Sequence, residues 1–147
     1  MHNKLTEKIN MSDVKRYEIT WNAYKGILIK AHKGAAVLTV EIDHSICTDE
    51  ILHTINNSFD GAEERLINSN RNITIAALKL LARACFLEHF SSIGFLDARE
   101  LINQLRECAT FSNYECWPPM DGSKGIKILD CSIPWVWEED MEVEEVS

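Results

Sequence analysis

The longest run of apolar residues lies in the middle of the chain, from position 72 to position 90. The sequence there is NITIAALKLLARACFLEHF, and it is interrupted only by Thr74, Lys79, Arg83, Glu88 and His89. At about 100° per residue, Asn72, Lys79 and Arg83 fall within one narrow strip of a helix. We therefore predict a central helix that is covered on most sides, with Ile75, Leu78, Leu81 and Phe86 buried in the core.

Three stretches before this helix are predicted to be strands, at 14–21, 27–31 and 36–43, and in the first and the third an apolar face recurs at every second residue. A period of two is typical of half-buried strands. The links between the three stretches are short, which favours an antiparallel meander. A fourth stretch, 125–133, alternates in the same way except near Asp130, where the slip predicts a β-bulge or an edge position.

Capping residues predict the other helices. Thr48 precedes Asp49 and Glu50, so it suits the N-cap of an amphipathic helix that continues to about residue 58, and residues 62–68 resume a helical pattern after a break. Asp97 caps a further helix over 98–108. The order β-β-β-α-α-α-β predicts an α+β fold, with an antiparallel sheet of about four strands and helices packed on one face.

The length of 147 residues fits one domain. We expect a flexible N-terminal extension over residues 1–12, a single α+β domain over 13–137, and an acidic flexible tail over 138–147. Five cysteines without a CxxC pair indicate a reducing compartment. The N-terminus lacks the apolar core of a secretory signal, and the central run falls short of a membrane span of about 20 residues. These features predict a cytoplasmic protein.

Charge is distributed unevenly along the chain. The net charge is -8, and six of the 23 acidic residues lie within 138–147, whereas residues 1–33 carry an excess of lysine and arginine. An acidic chain disfavours direct nucleic-acid binding, because phosphate contacts need a basic surface. An acidic tail can instead dock on a basic partner or imitate the charge of a nucleic acid. The candidate partner-binding residues are Trp135, Trp137, Glu138, Glu139, Asp140, Glu142, Glu144 and Glu145.

Two pairs of neighbouring residues, Asp43-His44 and Glu88-His89, have the side chains of a general acid–base pair. Neighbours in sequence point to different faces of a strand or helix, so neither pair is expected to act together. We expect His44 to lie in a loop and His89 to sit near a helix C-terminus, where a cation suits the dipole. These residues predict no catalytic site.

Metal and phosphate sites are also not predicted. Cys108, Cys116 and Cys131 are spaced eight and fifteen residues apart, which matches no compact zinc-ligand motif. The stretch 121–125, DGSKG, lacks a complete P-loop and leads into a strand rather than a helix, so we interpret it as a turn. The Lys79/Arg83 strip suits a solvated helix edge, and Trp117 and Trp135 are expected to close the lower edge of the core. We expect no cofactor and no metal.

Four stretches together resemble a family of small bacterial, prophage or plasmid proteins that is known only as a domain of unknown function. They are KRYEI at 15–19, VEIDH at 40–44 with TDEIL at 48–52, the helix around 75–81, and WPPMDG at 117–122 leading into GIKI at 125–128. The resemblance covers most of residues 14–133 and implies no catalytic residues. It implies a mobile-element origin, in which small accessory proteins often bind host machinery.

The pattern and the resemblance favour a non-enzymatic protein-interaction module, an accessory protein of a mobile element that binds a host protein. An inhibitor of a host defence complex, such as an anti-CRISPR, is the sharpest form of this hypothesis. Two alternatives remain open at this point. The chain is a small enzyme or ligand-binding protein that uses His44 or His89, or it is a self-assembling structural module, for example a homodimer through the strand at 125–133.

Overall fold

The computed structural model describes residues 13–22, 35–91, 97–107, 117–133 and 141–146. Within them, the strands are β1 (Val14–Asn22), β2 (Ala35–Asp43) and β3 (Ile126–Ser132), and the helices are α1 (Asp49–Asn57), α2 (Ala62–Asn68), α3 (Ile73–Ser91) and α4 (Ala98–Glu107). The α+β class is confirmed. The described sheet has three strands rather than four, and the strand predicted at 27–31 lies outside the described residues.

The three strands form an antiparallel sheet in the order β1-β2-β3. β1 pairs with β2 along its whole length, from Val14 opposite Asp43 to Asn22 opposite Ala35. One face of β2 is fully buried, as its alternation predicts, through Ala36, Leu38, Val40 and Ile42. The opposite face carries polar pairs, so the helices cover a single side of the sheet.

A β-bulge interrupts the pairing of β2 with β3. Thr39 lies opposite Asp130 and Val40 lies opposite Ile128, which leaves Leu129 as the extra residue on β3. The bulge explains why the apolar alternation of this strand slips beside Asp130. β3 is also a terminal strand of the described sheet, so both features predicted from the slip are present.

Helix α3 packs against α1, α2, α4, β1 and β2. Leu78, Leu81 and Phe86 are at most 6% exposed, which confirms the predicted core helix. The expectation for Ile75 is wrong, because its side chain is 40% exposed. Ile75 is four residues before Lys79 and therefore continues the exposed strip of α3. No helix within the described ranges is long and apolar enough to cross a lipid bilayer.

The predicted caps are present at the helix N-termini. The Thr48 Oγ1 accepts a hydrogen bond from the Ile51 amide at 3.4 Å, and the Asp97 Oδ1 accepts one from the Glu100 amide at 2.8 Å. Each cap satisfies an amide that the first turn of a helix leaves without a partner. The caps therefore define where α1 and α4 begin.

Arg65 of α2 joins the end of α1 to the start of α2, a contact that the sequence pattern does not predict. Its guanidinium donates to the Asn56 side chain at 2.8 Å and to three backbone carbonyls, those of Asn56, Phe59 and Asp60, at 3.0, 3.0 and 2.6 Å. The Asn56 side-chain amide in turn donates to the Ala62 carbonyl at 3.1 Å. One planar cation thus satisfies the C-terminal end of α1.

Candidate functional site

A groove of about 580 Å³ lies between the C-terminal end of β1 and helix α3. Its described lining residues come from these two elements: Ile19, Thr20 and Trp21 from β1, and Lys79, Ala82, Arg83, Phe86 and Leu87 from α3. We call this feature the β1–α3 groove. Its size is within the range of small-ligand and peptide sites.

The interior of the groove is apolar and aromatic. Trp21 stacks on Phe86, with ring centroids 6.5 Å apart and an angle of 25° between the rings. Trp21 belongs to the core face of β1, but its cross-strand partner is the small residue Ala36, and 49% of the Trp21 side chain stays exposed. Leu87 is 54% exposed beside it. Exposed large apolar groups of this kind often mark interaction sites.

Two cations stand on the α3 side of the groove. Lys79 and Arg83 are both exposed and are one turn apart, about 6 Å along the helix axis. The described lining of the groove contains no acidic residue, and neither cation forms an ion pair with another described residue. The predicted solvated strip is therefore exposed as expected. It also forms the positive wall of an apolar groove in a chain of net charge -8.

Sequence reasoning missed this groove. The sequence pattern correctly assigns Trp21 to a strand and Phe86 to the core helix. The contact between the two side chains, however, depends on how β1 lies across α3. The available signal was a tryptophan at the last core-facing position of an alternating strand. At that position a large side chain extends beyond the residues that cover the strand.

Asp43 and His44 do not form an acid–base pair. Asp43 accepts hydrogen bonds from the Ser45 amide at 3.0 Å and from the Ser45 hydroxyl at 2.6 Å, so it organises a turn. The Tyr17 hydroxyl and the His44 Nε2 are 2.8 Å apart and share a hydrogen bond. His44 is therefore held by a tyrosine on β1 rather than by its neighbouring carboxylate.

His89 is 2% exposed, and burial lowers its pKa from the ordinary value of 6.5. His89 lies in the last turn of α3, as expected, but burial disfavours the charged imidazole, which does not fit the expected helix-terminal cation. Neither His89 nor His44 lines the β1–α3 groove.

The described cysteines, Cys47, Cys85 and Cys131, are buried. Burial raises the pKa of Cys47, and burial together with the nearby Asp130 raises the pKa of Cys131 to about 12. Such thiols remain protonated at neutral pH and are poor metal ligands and poor nucleophiles. Within the described ranges, no group of three or more His, Cys, Asp or Glu side chains could hold a metal ion. Cys108 and Cys116 lie outside those ranges.

The stretch resembling the end of a P-loop is a turn, as predicted. The Asp121 Oδ1 accepts hydrogen bonds from the Ser123 amide at 3.0 Å and from the Ser123 hydroxyl at 2.6 Å. Trp117 is 9% exposed, and its ring packs on Phe59 with centroids 5.7 Å apart. Trp117 therefore belongs to the core, as expected, whereas Trp135 lies outside the described residues.

The predicted partner-binding tail is described from Met141 to Val146. Its three glutamates, Glu142, Glu144 and Glu145, are exposed, and Val143 is 97% exposed. Met141 and Val146 are 58% and 84% exposed. The other predicted residues lie outside the described ranges: Trp135, Trp137, Glu138, Glu139 and Asp140.

Comparisons with known proteins agree with a phage origin. Residues 37–143 match the family model described as a protein of unknown function, DUF2528. The chain is 33% identical over 130 residues to protein ea10 of Escherichia phage lambda, and equally to the lambda prophage-derived protein ea10 of Escherichia coli O6:H1 (strain CFT073). Each match covers 88% of this chain and 94% of the relative. No solved structure matches the chain. The chain therefore belongs to the DUF2528 family of phage and prophage proteins.

Proposed function

We propose that this chain is a non-enzymatic interaction module, an accessory protein of a phage or prophage that binds a host protein through its acidic arm. The acidic arm is residues 138–147, together with the adjacent Trp135 and Trp137. The observation that carries the proposal is the exposure of its described part. Glu142, Glu144 and Glu145 face solvent, and Val143 between them is 97% exposed.

The chemistry of the arm favours a basic partner. A cluster of exposed carboxylates sets up a negative field that attracts and orients a positively charged surface. Surfaces of that sign are typical of proteins that bind nucleic acids. The arm would occupy such a surface by presenting negative charge where phosphates normally lie. The interspersed valines and the two tryptophans add apolar contacts that charge alone does not supply.

A host protein that binds nucleic acid in a defence system is the partner that this chemistry suits best. The similarity to a phage protein and to a prophage-derived protein supports a role during infection. Inhibition of a CRISPR effector is the sharpest form of the proposal, because such effectors hold nucleic acid in a positively charged channel. An enzyme based on His44 or His89 receives less support. His44 is engaged with Tyr17, and His89 is buried.

The test is capture of partners from host lysate by the tagged full-length chain and by its E142Q/E144Q/E145Q variant. The matched control is E18Q/E63Q/E64Q, which removes the same charge from exposed positions elsewhere. We expect the arm variant to lose a basic, nucleic-acid-binding partner by about tenfold, as befits the loss of several charge contacts. The control variant should retain it. Equal capture by all three chains would show that the arm glutamates do not contribute to partner binding.

A further inference from the structure

We propose that the β1–α3 groove receives the acidic arm of a second copy of this chain. The proposal goes beyond the proposed function, because it assigns an occupant to a surface that the host-binding role does not use. It shares only the arm with that role. Two grooves and two arms would make a reciprocal dimer, in which each chain inserts its arm into the other.

Charge complementarity is the first argument. Lys79 and Arg83 form the positive wall of the groove, and none of its other described lining residues carries a carboxylate. The described part of the arm carries three exposed glutamates. An acidic chain would normally repel its own copies. Pairing of the groove cations of one copy with the arm glutamates of another provides one relative orientation in which the two copies attract each other.

Apolar complementarity is the second argument. The groove offers the stacked pair Trp21 and Phe86 and the exposed side chain of Leu87. The arm offers Met141 and Val143, which are 58% and 97% exposed. Removing these side chains from water together is favourable in the same way as core packing. A nucleic acid would satisfy the cations, but its bases would leave these aliphatic side chains of the arm exposed.

Spacing is the third argument. Lys79 and Arg83 are about 6 Å apart along the α3 axis. In an extended segment, residues two apart project to the same side at about 6.6 Å, so Glu142 and Glu144 match the two cations. Met141 and Val143 then project to the opposite side, toward the wall formed by β1. The sequence MEVE thus presents acids to one wall and apolar groups to the other.

The exposure of the arm points to a second copy rather than to the arm's own groove. Val143 could not be 97% exposed if it filled the groove of the same chain, and the described lining of the groove consists of β1 and α3 residues. A dimer of this kind would cover the arm until a basic host protein competes for it. The host-binding role and self-association are then alternative uses of the same carboxylates.

The test is sedimentation of the full-length chain across a wide concentration range, at low and high salt. We expect a concentration-dependent dimer that high salt weakens, because the contacts are partly exposed charges. K79E/R83E and E142K/E144K should each weaken dimerisation by at least about tenfold. K15E/K124E, which changes the same charge at exposed positions away from the groove, should leave it unchanged.

The decisive sample is an equimolar mixture of K79E/R83E and E142K/E144K. In the mixed dimer, each groove meets an arm of opposite sign, so a heterodimer should form although neither variant pairs with itself. Its formation also shows that both variants are folded. A wild-type chain that stays monomeric at every concentration, or a mixture that fails to pair, would overturn the proposal.

A fluorescent peptide of residues 138–147 and a fluorescent single-stranded oligonucleotide separate the remaining outcomes. We expect the peptide to bind in the groove of the E142Q/E144Q/E145Q variant. It should not bind a variant that combines these substitutions with K79E/R83E. An oligonucleotide that binds through Lys79 and Arg83 more tightly than the peptide would overturn the proposal and assign the groove to nucleic acid. Loss of dimerisation with host capture intact sinks only this inference. If the dimer forms as expected but capture of the host protein does not depend on the glutamates of the arm, only the proposed function is contradicted.

Discussion

Gly125 shows at the scale of one residue how the chain joins β3 to the rest of the core. Its φ is +86°, and an added Cβ would lie 2.8 Å from both the Cys47 amide nitrogen and the Ile46 Cβ. The Gly125 carbonyl accepts a hydrogen bond from the Asp43 amide at 2.8 Å. The glycine is therefore needed both for its backbone conformation and for close approach of two backbone segments.

We predict that G125A lowers the free energy of unfolding by about 3 kcal/mol, from left-handed backbone strain plus steric overlap. Gly122 is the matched control, since its φ is +93° but the nearest atoms to its added Cβ belong to the flexible Lys127 side chain, at 3.4 Å and beyond. G122A should cost about 1 kcal/mol from backbone strain alone. Chemical denaturation measures both changes. Equal losses would show that the close contact at Gly125 contributes nothing.

His89 predicts a specific dependence of stability on pH. Burial lowers its pKa in the folded chain below the ordinary 6.5 of the unfolded chain. Above pH 6.5 both states are neutral at this site, so it adds no pH dependence. Below pH 6.5 the unfolded chain takes up the proton first, and stability falls until the pH reaches the lowered folded pKa.

The measurement is the free energy of unfolding between pH 7 and pH 5 for the wild type and H89Q. We expect the wild type to lose stability more steeply than the variant, by at most about 1.4 kcal/mol per pH unit. Parallel curves for the two chains would mean that the imidazole protonates equally in both states, which contradicts its burial.

At the scale of elements, helix starts and strand faces were accessible from the sequence, because they depend on neighbours in the chain. Thr48 and Asp97 cap their helices through contacts three residues away, and the bulge at Leu129 is visible as a slip in alternation. Ile75 was placed in the core because it is apolar. The 3.6-residue helical period places Ile75 on the same strip as Lys79. Whether other elements pack over that strip depends on the tertiary structure.

At the scale of elements, the sequence did not predict the hydrogen bonds of Arg65. They depend on the positions of backbone carbonyls in the folded α1–α2 turn, which no local sequence pattern specifies. We predict that R65A lowers the free energy of unfolding by about 3 kcal/mol, since several buried or partly buried acceptors lose a charged donor. R65K should recover less than half of the loss, because an ammonium cannot reach the same set of acceptors.

The control for Arg65 is R16A. Arg16 and Glu41 form an ion pair at 3.0 Å, but the arginine side chain is 73% exposed. Surface pairs of this kind contribute less than about 1 kcal/mol. Thermal and chemical unfolding should therefore show that R65A is much less stable than R16A. The reverse ranking would show that Arg65 does not organise the α1–α2 connection.

At the scale of the whole molecule, the chain combines a negative arm with a groove whose charge is positive. The arm was evident from composition, because six of 23 acids lie in its ten residues. The groove was not, because it forms where two elements distant in sequence meet. Trp21 and Phe86 belong to a strand and a helix whose relative placement no local pattern specifies.

The measurement that tests the central claim most directly is photo-crosslinking in host cells from position 143, whose side chain is 97% exposed within the arm. A crosslinking residue at position 64, exposed on α2, is the matched control. We predict that position 143 crosslinks to a basic host protein, that position 64 does not, and that E142Q/E144Q/E145Q abolishes the product. The same products from both positions, or products that survive neutralisation of the arm, would contradict the account.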